Sequence, residues 1–254
     1  MKKILSLILI LPLCLSLGCN KKSAKVVDVL TSDGTQQTVV PTATDIQSSA
    51  PAAKSGAFVE VTGTVAYVFD GAEGVTIYGA AEYTNTGDTP VTLTSATFDF
   101  SVGARSISYD FTPMLAQYDI VMPGKSAFVV LWLKDSSLTP GTPATLSANL
   151  TCAASAQDRY DLEVENIYLA DNYPDFTTLS GTLRNLSGNE CSMNMLYVGF
   201  YDKSGALLGV WNFTRNAQLE PYDTKSFVVN MKELTIPDLA ANTASARGTA
   251  FGFN

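Results

Sequence analysis

The stretch "FYDKSGALLG", residues 200–209, decides the fold, because it is either a turn or a site. Ahead of it Leu196, Val198 and Phe200 alternate with Tyr197, Gly199 and Tyr201. Behind it Leu208 and Val210 alternate with Leu207, Gly209 and Trp211. Period-two alternation on both sides of an Asp-x-x-Gly is a β-hairpin pattern. Aspartate suits the first position of a type I turn and glycine the fourth. The reading is therefore structural: Asp202 caps the turn and Gly205 supplies the positive φ. A three-residue loop, Lys203 to Gly205, pairs Phe200 with Leu208 and Val198 with Val210 and leaves one wholly apolar face. The other face then carries Tyr197, Tyr201 and Trp211 over Gly199 and Gly209. That face is a candidate ligand surface on which sugar rings stack, or else ordinary packing over the glycines or against another domain.

The same alternation recurs outward from the hairpin, in "VEVTGTVAYVF", "VTLTSATFDFS", "SAFVVLWL" and "SFVVNM". Val, Thr, Phe and Tyr fill these runs, turn residues separate them every 8–12 residues or so, and no stretch keeps a helical period for three turns. The chain also repeats itself. At an offset of about 100, "EYTNTGDTPVTLTSATFDFS" from Glu82 lies over "TLRNLSGNECSMNMLYVGFY" from Thr182, with Asn85 over Asn185 and Phe100 over Phe200. Short strands at this spacing, duplicated, predict an all-β protein of two tandem immunoglobulin-like antiparallel β-sandwich domains, at 57–153 and 158–254.

The chain opens "MKKILSLILILPLCLSLG", two lysines and an apolar run too short to span a bilayer, which is a secretory signal over residues 1–18. Its end, Leu15-Ser16-Leu17-Gly18-Cys19, resembles the lipobox of bacterial lipoproteins. The resemblance implies cleavage before Cys19, lipid attachment to its thiol by diacylglycerol and palmitate-type chains, and a membrane-anchored, extracytoplasmic protein at the outer membrane or the outer face of the plasma membrane. Residues 19–56 are rich in Ser, Thr, Ala, Gln and Lys and lack any aromatic residue. Such a segment reads as a flexible tether, holding the folded part roughly 30 to 35 Å from the bilayer. Val26 to Leu30 and Thr38 to Val40 are the places where it has some strand character.

From Ala57 onward there are ten basic and twenty-one acidic residues, a net charge of −11. An acidic body disfavours nucleic acid. The chain has no histidine, which removes Ser-His-Asp and Cys-His catalysis, HExxH zinc sites and histidine proton shuttles. No nucleophile, phosphate-loop or EF-hand motif replaces them, so neither a catalytic residue, a metal nor a cofactor is expected. Asp158, Asp161, Glu163 and Glu165, and Asp171 with Asp175, are oxygen-rich enough for calcium but read as a solvated strand face. Besides Cys14 and Cys19 there remain Cys152 and Cys191. They are either two buried thiols or a disulfide that links the domains and contributes roughly 4 kcal/mol.

"GTLRN", "LYVGFYDKSGALLG" and "LEPYDTKSFVV" together resemble the FxLYD domain of bacterial envelope proteins. That resemblance implies an immunoglobulin-like sandwich on a secreted or lipid-anchored protein, with no catalytic residues to carry over. The first copy departs from the pattern, having Ser101-Val102-Gly103 after Phe100, and is tied to it only through the repeat. The expected function is a non-catalytic interaction or structural module of the cell envelope, with an envelope protein or a glycan as partner; the alternative is a carbohydrate-binding module using the aromatic face.

Overall fold

A computed structural model describes residues 25–26, 28–30, 53–71, 74–113, 117–157, 160–172, 176–215 and 218–253, with the backbone alone at 25–26, 28–30 and 215. The signal segment, Cys19, Asp158 and Asp175 lie outside the described residues. The described chain is nearly all β. Its first half holds β3 (Val59–Gly71), β4 (Gly74–Asn85), β5 (Val91–Val102), β6 (Arg105–Phe111), β7 (Ser126–Lys134) and β8 (Ala144–Ala154). The second holds β9 (Leu162–Asn172), β10 (Phe176–Asn185), β11 (Met193–Tyr201), β12 (Leu207–Arg215), β13 (Thr224–Met231), the short helix α1 (Leu239–Asn242) and β14 (Ser245–Phe253).

The two halves have one topology. Strands β3-β4-β7 and β6-β5-β8 form the sheets of the first, and β9-β10-β13 and β12-β11-β14 those of the second. Every pairing within these four sheets is antiparallel. The aligned asparagines do the same work in each half. Asn85 Nδ2 donates to the carbonyls of Thr89 and Val121, both at 2.8 Å, while its Oδ1 accepts from the Gly87 N–H at 2.9 Å. Asn185 Nδ2 donates to the carbonyls of Asn189 (2.8 Å) and Glu220 (3.1 Å), and its Oδ1 accepts from the Ser187 N–H at 3.0 Å. Both are fully buried. Each satisfies loop backbone groups that would otherwise be orphaned inside the protein.

Two short strands precede the first half yet belong to the second. β1 (Lys25–Val26) pairs antiparallel with β9, and β2 (Asp28–Leu30) pairs parallel with β14. Residues 25–26 and 28–30, in the part of the expected tether that has strand character, are thus paired. Both strands lie on sheet edges, where unpaired backbone groups offer a ready template.

Within each half small residues let the sheets close. A Cβ on Gly79 of β4 would lie 2.6 Å from the Phe100 ring, and one on Gly248 of β14 would lie 2.4 Å from Val164 Cβ on β9. The halves are then stacked on each other. β4 is buried without interruption from Ile77 to Tyr83, and β11 from Asn194 to Tyr201. A strand buried on both faces needs a layer on each side. The molecule thus has four layers in the order β6-β5-β8, β3-β4-β7, β12-β11-β14, β9-β10-β13, and its buried apolar side chains form one cluster that runs through both halves.

Candidate functional site: the junction of the two halves

The hairpin at 200–209 turns as its residues dictate. The Gly205 N–H donates to the Asp202 carbonyl at 3.1 Å, and Gly205 has φ +83°. Asp202 Oδ1 accepts from the Ser204 N–H (2.8 Å), the Ser204 hydroxyl (2.7 Å) and the Ala206 N–H (2.9 Å). Those bonds, the Ser204 hydroxyl foremost, hold the carboxyl below the ordinary aspartate range. The pairing beyond the turn differs from the expected one. Tyr201 faces Leu207, but Phe200 faces Gly209 and Val198 faces Trp211. A bulge takes up Leu208, so the expected Phe200–Leu208 and Val198–Val210 pairs do not form.

Of the two readings of the aromatic face, packing against the other half is the one the structure has for its tyrosines. Tyr197 and Tyr201 are 6% and 4% exposed, and Trp211 is half-buried. The reason is the second layer: β3-β4-β7 covers the side of β11 on which the tyrosines stand. Gly199, between them, receives the Phe128 ring, which would lie 2.6 Å from a Cβ there.

Polar groups fasten this junction. The Tyr78 hydroxyl donates to the Val210 carbonyl and accepts from the Val210 N–H, each at 2.7 Å, and the Tyr67 hydroxyl donates to the Leu208 carbonyl at 2.9 Å. β12 is the edge of its sheet, so these backbone groups have no strand partner. Two tyrosines of the other half supply one, and burial drives both phenol pKa values up. Arg247 of β14 pairs with Glu82 of β4 and lies 5.6 Å from the Tyr201 ring centroid. Both charged side chains are largely buried, at 19% and 7% exposure. Desolvation of two such buried charges offsets much of their attraction, so the pair is weak evidence of net stabilisation.

Asp119, in the loop before β7, is the other buried acid among the described residues. The Tyr197 hydroxyl donates to its Oδ2 at 3.1 Å, and its Oδ1 has no partner. Burial raises its pKa from 3.8 to about 7, against the lowering effect of the Tyr197 bond. Tyr83 and Tyr197, its titratable neighbours, are both pushed well above the ordinary phenol range by their own burial. Beside Asp119 the loop stacks Tyr118 on Phe253 of the second half, with ring centroids 4.7 Å apart. Nothing in the local sequence marks Asp119; its role arises only when the halves meet.

The cysteines are not bridged. Cys152 and Cys191 are free thiols, which corrects the disulfide alternative. Each is held within its own half. Cys152 on β8 faces Leu93, while Cys191 bridges to Leu219 and its Sγ donates to the Met193 carbonyl at 3.0 Å. Burial raises the pKa of both, so neither is an activated thiolate. Among the described residues no three acidic or cysteine side chains converge as metal ligands.

At one end of the junction the layers part into a cleft of about 510 Å³. Trp132 of β7 and Trp211 of β12, the two tryptophans of the chain, meet edge to face there with centroids 6.2 Å apart. Phe69, Thr76 and Asn212 join them on the walls, and Asp70, Lys134, Lys232 and Glu233 supply charges of both signs. Behind Trp132 lies Tyr78, at 4.6 Å, and Tyr78 contacts Tyr67 and Phe69 in turn. The sequence brought Trp211 to notice through the hairpin but gave no reason to join it to Trp132.

No protein-family model matches the sequence, and no curated protein matches it either.

Proposed function

We propose that this protein is a lipid-anchored, extracytoplasmic module of the bacterial cell envelope that binds or braces without catalysis. The observation that carries this reading is the order of basic start, apolar run, Gly18 and Cys19 in the sequence. The FxLYD resemblance of the second half belongs to the same reading, since that domain sits on envelope proteins. The lack of any histidine and the use of the buried polar groups as fastenings between layers favour a rigid body over a catalytic one.

The pairing of residues 25–26 and 28–30 changes how the body is mounted. Five residues separate Cys19 from β1, six residue steps with a reach of at most about 20 Å when extended. The anchor therefore holds the second half close to the bilayer, and the remaining linker residues run between β2 and the first half.

A Cys19→Ser variant tests the anchor. It is expected to lose metabolic palmitate labelling and to move from the membrane pellet to the soluble fraction. Undiminished labelling and membrane retention would remove the anchor from the reading.

A further inference from the structure

We infer that the cleft between Trp132 and Trp211 is a binding site for a neutral saccharide; this rests on the non-catalytic binding function proposed above and gives it a ligand class. Its volume falls within the roughly 300–1,000 Å³ of small-ligand sites, and such sites favour domain junctions with aromatic walls and a few convergent polar groups. Both tryptophans of a 254-residue chain stand in this one cleft.

The wall chemistry selects the ligand. Indole surfaces take up flat apolar faces, here the C–H face of a pyranose ring. Around them the Asp70 and Glu233 carboxylates, the Lys134 and Lys232 amines, the Asn212 amide and the Thr76 hydroxyl offer both acceptors and donors. A ligand with hydroxyls at its rim satisfies both kinds. The two acids and two lysines balance in charge, so the cleft favours neither an anion nor a cation. The Trp211 indole N–H is buried without an acceptor. A buried donor left unpaired costs about 1–3 kcal/mol, which leaves this indole a donor that a ligand oxygen would satisfy. The geometry also separates this site from the Tyr197 and Tyr201 surface, which the other half covers.

The test is a titration of the mature chain from Asn20 with cello-, malto-, xylo- and chito-hexaose, followed by calorimetry and by tryptophan emission, which reports the cleft directly. Saturable binding to at least one of them is expected, with a shift in emission. Trp211→Ala is expected to weaken it at least tenfold. Glu233→Gln, an exposed change on the rim that leaves the packing intact, should weaken it several-fold with an unchanged melting temperature. Absence of saturable binding to all four, or equal binding by native protein and both variants, would overturn the site. Binding accompanied by shortening of the oligosaccharide would keep the cleft but overturn the non-catalytic function.

Discussion

Asp119→Asn is expected to abolish most of the loss of stability that the native protein shows between pH 4 and pH 8. In the folded chain the Asp119 carboxyl has its pKa raised from 3.8 to about 7, burial being the cause. Between those values the folded state keeps a proton that the unfolded state has released. Its contribution to stability is then fully present below about pH 4 and is lost as the pH rises through about 7. The separation corresponds to roughly 4 kcal/mol at full extent. Asp135 and Asp202 are shifted the other way by bonds from Ser137 and Ser204. Their contributions are present above pH 3.8 and disappear only below it, outside the Asp119 window. Asparagine mimics the protonated acid and still accepts the Tyr197 hydroxyl bond. Urea unfolding at pH 4 should give nearly equal stabilities for native and variant. At pH 8 the variant should be more stable by about 2–4 kcal/mol, or on the order of 10 °C in melting temperature. Parallel pH profiles for the two proteins would mean that Asp119 reaches water and is not a buried fastening.

Gly248→Ala is the second change with a large expected effect, and its sign runs against local propensity. Alanine in a strand is ordinarily more stable than glycine by about 0.5–1 kcal/mol. At 248, however, the new methyl would lie 2.4 Å from Val164 Cβ and 2.5 Å from its Cγ1. The Cβ position is fixed by the backbone of β9, so no rotamer change relieves the contact and the two sheets must separate. A loss of about 3 kcal/mol or more is expected, at the upper end for overpacked cores. Gly199→Ala presses instead on the outer carbons of the Phe128 ring, which can swing, and should cost less. At Gly205 a Cβ meets nothing within 4 Å, and only the positive φ, about 1 kcal/mol, opposes alanine. Denaturant midpoints for the three variants check the ranking. Val164→Gly in the Gly248→Ala background, which removes both the Cβ and the Cγ contacts, should recover part of the loss, giving a coupling of about 1–3 kcal/mol. A Gly248→Ala protein as stable as the native one would contradict the close approach of β9 and β14.

How much of this is legible in the sequence follows from where each signal lies. The turn at Asp202–Gly205 is local, and its residues dictate it. The repeat is legible because Asn85 and Asn185 are the same solution to the same loop, so their spacing survives in the chain. The register of β11 and β12 is not, since a bulge at Leu208 leaves the alternation of apolar residues almost unchanged. Burial of Tyr197 and Tyr201 was partly within reach: "MLYVGFY" is apolar on both faces, which is the pattern of a strand between two layers. Read as alternation it yields an open aromatic face; read as a continuous run it predicts a cover. Asp119, Glu82 and Arg247 carry no such signal, because their partners lie on the other half of the chain.

Covalent labelling of tyrosines by hydroxyl radicals in the native mature protein tests the stacking of the halves most directly. With the layers docked, Tyr78, Tyr83, Tyr197 and Tyr201, all nearly inaccessible, should be protected, while Tyr222 and Tyr109, at 70% and 44% exposure, should label rapidly. Labelling of Tyr197 and Tyr201 at the rate of Tyr222 would contradict the four-layer body and return those rings to an open face.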